Sequence, residues 1–156
     1  MEQTILAKLA YDICVPTGYH FLSRFLESIH ASERTRLLSH YYAERNMQEY
    51  DMLKFRPHVF AAAALYLALK QQAQHSAVVV TVDTTGSGAG EDCWRTVLQE
   101  ESGLMETDLL VCAHNMVKHI NEEPETASKR RLNAVRKKYA TEKLQFISSL
   151  PVPTIP

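Results

Sequence analysis

From Val59 to Leu69 the chain reads VFAAAALYLAL, a run whose only polar group is the hydroxyl of Tyr66. A helix with one apolar stripe lies on a surface, whereas one that is apolar all round must be covered on every side. The run is shorter than the ~18–20 residues that a bilayer span requires, so its cover has to come from the protein itself. Ala62, Ala63, Ala64 and Leu65 are the expected centre of this helix, because small side chains let neighbouring helices approach closely. Pro57 suits its first turn. A chain of 156 residues, 46% of them apolar, can bury such a helix without disulfides or metals, since a domain this size hides roughly 70% of its unfolded surface.

The other breaker-poor stretches have helical periodicity. Thr17 to His30 lines up Phe21, Leu22, Phe25, Leu26 and Ile29, with Thr17 or Pro16 at its start. Ser32 caps a second helix that turns Leu37, Leu38, Tyr41 and Tyr42 inward. Glu106 to Asn121 repeats the pattern through Leu109, Leu110, Ala113, Met116, Val117 and Ile120. A last helical stretch spans Ala127 to Ser148 and buries Leu132, Val135, Tyr139, Phe146 and Ile147. Ala77 to Asp92 is the exception. Its valines favour an extended chain, but one strand has no partner, so the segment reads as a flexible inserted loop. Pro151, Pro153 and Pro156 mark a tail. The fold class is all-α, with one helix wrapped by about five others.

Catalytic signals are weak. Gly86, Gly88 and Gly90 are wrongly spaced for a dinucleotide fingerprint, and no lysine follows to make a phosphate loop. Cys112 and His114 point to different faces of a helix, and no second pair completes four metal ligands. Cys14 and Cys93 are isolated; three unpaired cysteines fit a reducing compartment. Met1 to Ala10 carries Glu2 and Lys8 and lacks the apolar core of a signal peptide, so a cytosolic or nuclear protein is expected. No metal or cofactor is implied.

Charge is nearly balanced, 17 Lys and Arg against 18 Asp and Glu, so no global field draws the chain to nucleic acid or membrane. Locally, Lys129, Arg130, Arg136 and Lys137 fall on one side of a helix, either a solvated face or a stripe for phosphate or acidic groups. A binding or regulatory role fits these observations better than an enzyme.

Read as whole strings, the segments resemble the C-terminal half of a mitotic, B-type cyclin. ILAKLAYDICVPTGYHFLSRFL resembles the passage from the last helix of the first cyclin box, through a Pro-Thr link, into the second box. YDMLKFRPHVFAAAALYLALK is similar to the family's Tyr-Asp-Met and Pro-Ser-x-x-Ala-Ala-Ala signature. Trp94, Gly103 to Leu110 and KKYATEKLQFISSLP resemble the remaining helices, in the family's order.

The resemblance implies a cyclin fold of five helices with a C-terminal helical extension, in a non-catalytic regulatory subunit of a cyclin-dependent protein kinase, nuclear and cytoplasmic. It divides the chain into 1–12, the last helix of a truncated first box, 13–150, the second cyclin fold with its 77–92 insertion, and 151–156, the tail. Glu2, Leu6 and Tyr11 match kinase-contacting positions, with Tyr11 standing where the family usually has Phe. Without its own box to pack on, the first helix would expose an apolar face and self-associate or fray. Arg45 and Asn46 replace apolar or small residues of the family, which implies a modified face on the second helix. The alternative is a nucleic-acid-associated, cyclin-like domain of a transcription factor, using the basic stripe.

Overall fold

The structure is a computed structural model that describes residues 1–79, 99–121 and 133–155. Its elements run α1 (Glu2–Lys8), α2 (Gly18–Ser28), α3 (Glu33–Asn46), a 3-10 turn (Tyr50–Lys54), α4 (Pro57–Val79), the short α5 (Gln99–Ser102), α6 (Glu106–Asn121) and α7 (Ala134–Tyr139). Two more 3-10 turns, Glu142–Leu144 and Ile147–Ser149, follow. No strand occurs among the described residues, and no helix among them is long and apolar enough to cross a membrane.

The alanine-rich run is the axis of the fold, as its pattern requires. Ala61 to Leu65 are 0% exposed, with Tyr66, Leu67 and Ala68 hardly more so. Helices α2, α3 and α6 all pack on α4. They contribute Leu22, Phe25 and Leu26, then Leu38, Tyr41 and Tyr42, then Leu109, Cys112, Ala113 and Met116. Local chemistry starts these helices. Thr35 N–H donates to Ser32 Oγ at 3.2 Å, the expected cap of α3. At α2, Thr17 N–H donates back to His20 Nδ1 at 3.3 Å, an imidazole in the place a capping-box glutamate would take.

Buried polar groups on α4 are spent on neighbours. Tyr66 Oη donates to Glu106 Oε1 at 2.6 Å, tying α4 to the start of α6. Tyr42 Oη donates to Gln71 Oε1 at 2.7 Å, and Gln71 Nε2 donates on to the Pro151 carbonyl at 2.7 Å. Gln74 Nε2 reaches the Thr154 carbonyl at 3.1 Å, so the proline-rich tail is strapped along α4. Burial pushes the Tyr42 phenol far above its ordinary pKa, which keeps it a donor.

Two expectations need correction. Helix α4 runs on to Val79, so 77–79 belong to it and not to a loop; the stretch after Lys70 contains no breaker, and Gln71 and Gln74 are anchored by the tail. Residues 80–92 lie outside the described residues, as do the glycine cluster, Cys93 and Trp94.

The single helix expected from Ala127 to Ser148 is interrupted; of it, 127–132 lie outside the described residues. After α7 the chain turns, with Gln145 at φ 56° and Phe146 at φ 50°. That reversal leaves Phe146 exposed at 52% and delivers Ile147 to the core, where its turn packs on α3 and α7. Left-handed backbone at non-glycine residues is costly locally, and the burial of Ile147 offsets it.

Arg45 and Asn46 are both buried, so the face of α3 that they modify is turned inward. Arg45 Nη1 pairs with Glu49 Oε1 at 2.9 Å and its Nη2 donates to the His119 carbonyl at 3.4 Å, joining α3 to α6. A buried arginine is tolerable only when paired in this way.

Replacing Ala63 by Leu overpacks a site with no free space, and we expect a loss of roughly 1–3 kcal/mol. Ala63→Glu strands a charge and should leave no folded protein. Val111→Glu, on the exposed side of α6, should change stability by less than about 0.5 kcal/mol. Denaturant melts of the three variants check the order.

Candidate partner-binding face

Helix α1 buries none of its residues, unlike α2, α3, α4 and α6. Glu2, Ile5, Leu6 and Leu9 follow i, i+3, i+4, i+7 spacing, so they share one face. Ile5 and Leu9 are half exposed, Glu2 is exposed and Leu6 half-buried. The helix ends at Ala10 and Tyr11, both left-handed (φ 51° and 58°), where Tyr11 N–H donates to the Leu6 carbonyl at 2.9 Å. Consecutive left-handed non-glycine residues store strain of the kind found at functional segments. Beyond them Tyr11, Ile13 and Val15 stand 66%, 61% and 70% exposed.

The structure therefore brings Glu2 and Leu6 onto one helix face, with Tyr11 on the link that continues it. Their neighbours Ile5, Leu9, Ile13 and Val15 complete an apolar strip that residue-by-residue reading missed. The i, i+3, i+4, i+7 pattern of α1 was the signal available for Ile5 and Leu9. For Ile13 and Val15, which lie on irregular chain, no periodic signal exists. Exposed apolar side chains that follow one another along the chain in this way make the segment the candidate contact surface.

The basic stripe is only partly in view. Arg136 and Lys137 are exposed on α7, while Lys129 and Arg130 lie outside the described residues. Next to them, Lys138 is occupied: its Nζ donates to both carboxylate oxygens of Glu44, at 2.7 and 2.8 Å, and Tyr139 Oη donates to Glu44 Oε1 at 3.0 Å. These contacts fasten α7 to α3.

The cysteine and histidine candidates do not converge. Cys112 is fully buried, and burial raises its thiol to about 12. His114 is exposed with Nδ1 2.7 Å from the Leu110 carbonyl. Cys14 is exposed on the link. Among the described residues no group of three or more His, Cys, Asp or Glu could hold a metal ion.

The family model for the cyclin C-terminal domain matches residues 16–153. Similar curated proteins include a G2/mitotic-specific cyclin-B of Dictyostelium discoideum, 33% identical over 97% of this chain and 30% of its own length. Cyclin-B1-3 of Oryza sativa subsp. japonica is 35% identical over 94% of this chain and 27% of its own length. The G2/mitotic-specific cyclin-B2 of Gallus gallus is 33% identical over 96% and 33%. The chain thus spans about a third of the length of the relatives it matches.

Two outcomes follow from the side-chain environments. At neutral pH iodoacetamide should label Cys14 in the native chain and leave Cys112 unmodified until denaturant is added; native labelling of Cys112, read by peptide mass, would contradict its burial. His40, stacked on Tyr19 with ring centroids 5.6 Å apart, has its pKa lowered by burial, against the pull of Glu44 and with the push of Lys138 and Arg36. The unfolded chain then takes up the proton first, so stability present above about pH 6.5 declines as pH falls below it. His40→Gln should flatten that decline in melts between neutral and mildly acid pH.

Proposed function

We propose, from the premise that this chain belongs to the cyclin family through its C-terminal domain, that it serves a cyclin-dependent protein kinase as a non-catalytic regulatory subunit in mitotic control. The names of its relatives support the mitotic assignment. The observation that carries the binding role is the run of exposed apolar side chains from Ile5 to Val15, in a segment that buries none of its residues in the core. Glu2, Leu6 and Tyr11 lie on or next to that strip and are the residues assigned to the kinase contact.

The chemistry is all on the kinase. Phosphoryl transfer requires a mobile helix and an activation segment to be in place, and a partner that binds only the arranged form shifts the population towards it. The strip suits this task, because apolar area that is exposed in the free chain and buried in the complex drives association. Unoccupied, the same strip favours self-association of the chain. Similarity to B-type cyclins favours this reading over a nucleic-acid-associated domain.

Calorimetric titration into a monomeric mitotic cyclin-dependent kinase, with histone phosphorylation followed in the same samples, tests the proposal. Heat and stimulated phosphorylation are expected, with affinity reduced about tenfold or more by Leu6→Ala and Tyr11→Ala, and less by Glu2→Ala at the exposed end of α1. A folded chain that gives no heat, or binding indifferent to all three substitutions, would overturn it.

A further inference from the structure

A second apolar surface lies where the 3-10 turn Tyr50–Lys54 meets the first turns of α2 and α4. Met52 and Phe60, both buried, line a cleft of about 270 Å³ together with Gly18, and Met47, Leu53 and Phe55 complete it. Gly18 leaves it open: a side chain there would grow beside Phe60 and the Pro57 carbonyl, at 3.5 and 3.6 Å. Met47 and Leu53, which line it, are 66% and 74% exposed and so open to a partner. At this size the cleft falls below the ~300 Å³ at which small-molecule pockets begin, so it suits a side chain or two and not a cofactor.

The electrostatics define the occupant. The one carboxylate among the lining groups, Glu49, is already paired with buried Arg45 at 2.9 Å. Lys54 and Arg56 are exposed beside the cleft and outnumber Asp51. Helices α2 and α4 begin there, at Gly18 and Pro57, and helix N-termini carry partial positive charge. Methionine walls adapt to the shape of an inserted side chain.

We infer that this cleft docks a short peptide segment of a partner protein, with a large apolar side chain seated between Met47 and Leu53 and acidic residues alongside Lys54 and Arg56. The cleft shares no lining residue with the strip from Glu2 to Val15, so the chain would hold a second protein through residues other than those assigned to the kinase.

The test is fluorescence anisotropy of the whole 156-residue chain against an array of short labelled peptides with Leu or Phe anchors flanked by acidic, neutral or basic residues. Acidic-flanked peptides should bind most tightly and weaken with salt. Leu53→Glu and Met47→Glu, both at exposed positions, should each reduce binding about tenfold or more, and Lys54→Glu with Arg56→Glu should reverse the flank preference. No binding by any peptide, indifference to both cleft substitutions, or a preference for basic flanks would overturn the proposal. So would sedimentation showing that Leu53→Glu abolishes only self-association, since the cleft would then belong to a second copy. Kinase titration should be unchanged by Leu53→Glu, which separates failure of this proposal from failure of the kinase reading.

Discussion

The all-round burial of α4 is the constraint on which the other elements depend. Five consecutive residues, Ala61 to Leu65, have no exposed surface, so each side of that helix must meet another element. Alanines make this possible by letting α2, α3 and α6 close in, and leucines and aromatics on those helices then fill the space between. Tyr42, Gln71 and the tail extend the same logic to the polar end of α4: Gln71 is buried there and needs partners, and the Tyr42 hydroxyl and the Pro151 carbonyl of the proline-rich tail supply them.

Against that core, the N-terminal segment stands out. Apolar side chains from Ile5 to Val15 remain exposed, whereas α2, α3 and α6 each turn several apolar side chains into the core. The same molecule thus has a tightly determined interior and an apolar strip that its own packing does not satisfy. The first property belongs to the cyclin C-terminal fold, and the second is the surface that the proposed kinase contact would use.

Much of the fold was legible because its signals are local or pattern-based. The α4 run has no polar side, Ser32 caps α3 directly, and Pro57 opens α4. Other features were hidden because they are tertiary. Nothing in KKYATEKLQFISS breaks a helix by composition; the left-handed turn at Gln145 and Phe146 exists because Ile147 must reach the core. Arg45 reads as a surface charge, and only packing against α6 reveals its buried pair with Glu49. Valines at the end of α4 suggested extended chain, but a helix already anchored at Gln71 and Gln74 overrides that propensity. Of the binding face, family resemblance singled out Glu2, Leu6 and Tyr11, whereas Ile13 and Val15 became visible only as exposed surface.

Hydrogen exchange of the chain, alone and with a saturating cyclin-dependent kinase, tests the central claim most directly: a closed core around α4 carrying an unsatisfied N-terminal strip. Amides from Phe60 to Gln71 should be the slowest to exchange in both samples. Amides from Glu2 to Val15 should exchange quickly in the free chain and become protected in the complex. Equal protection of both regions in the free chain, or kinase binding that leaves Glu2 to Val15 as fast as before, would contradict the account.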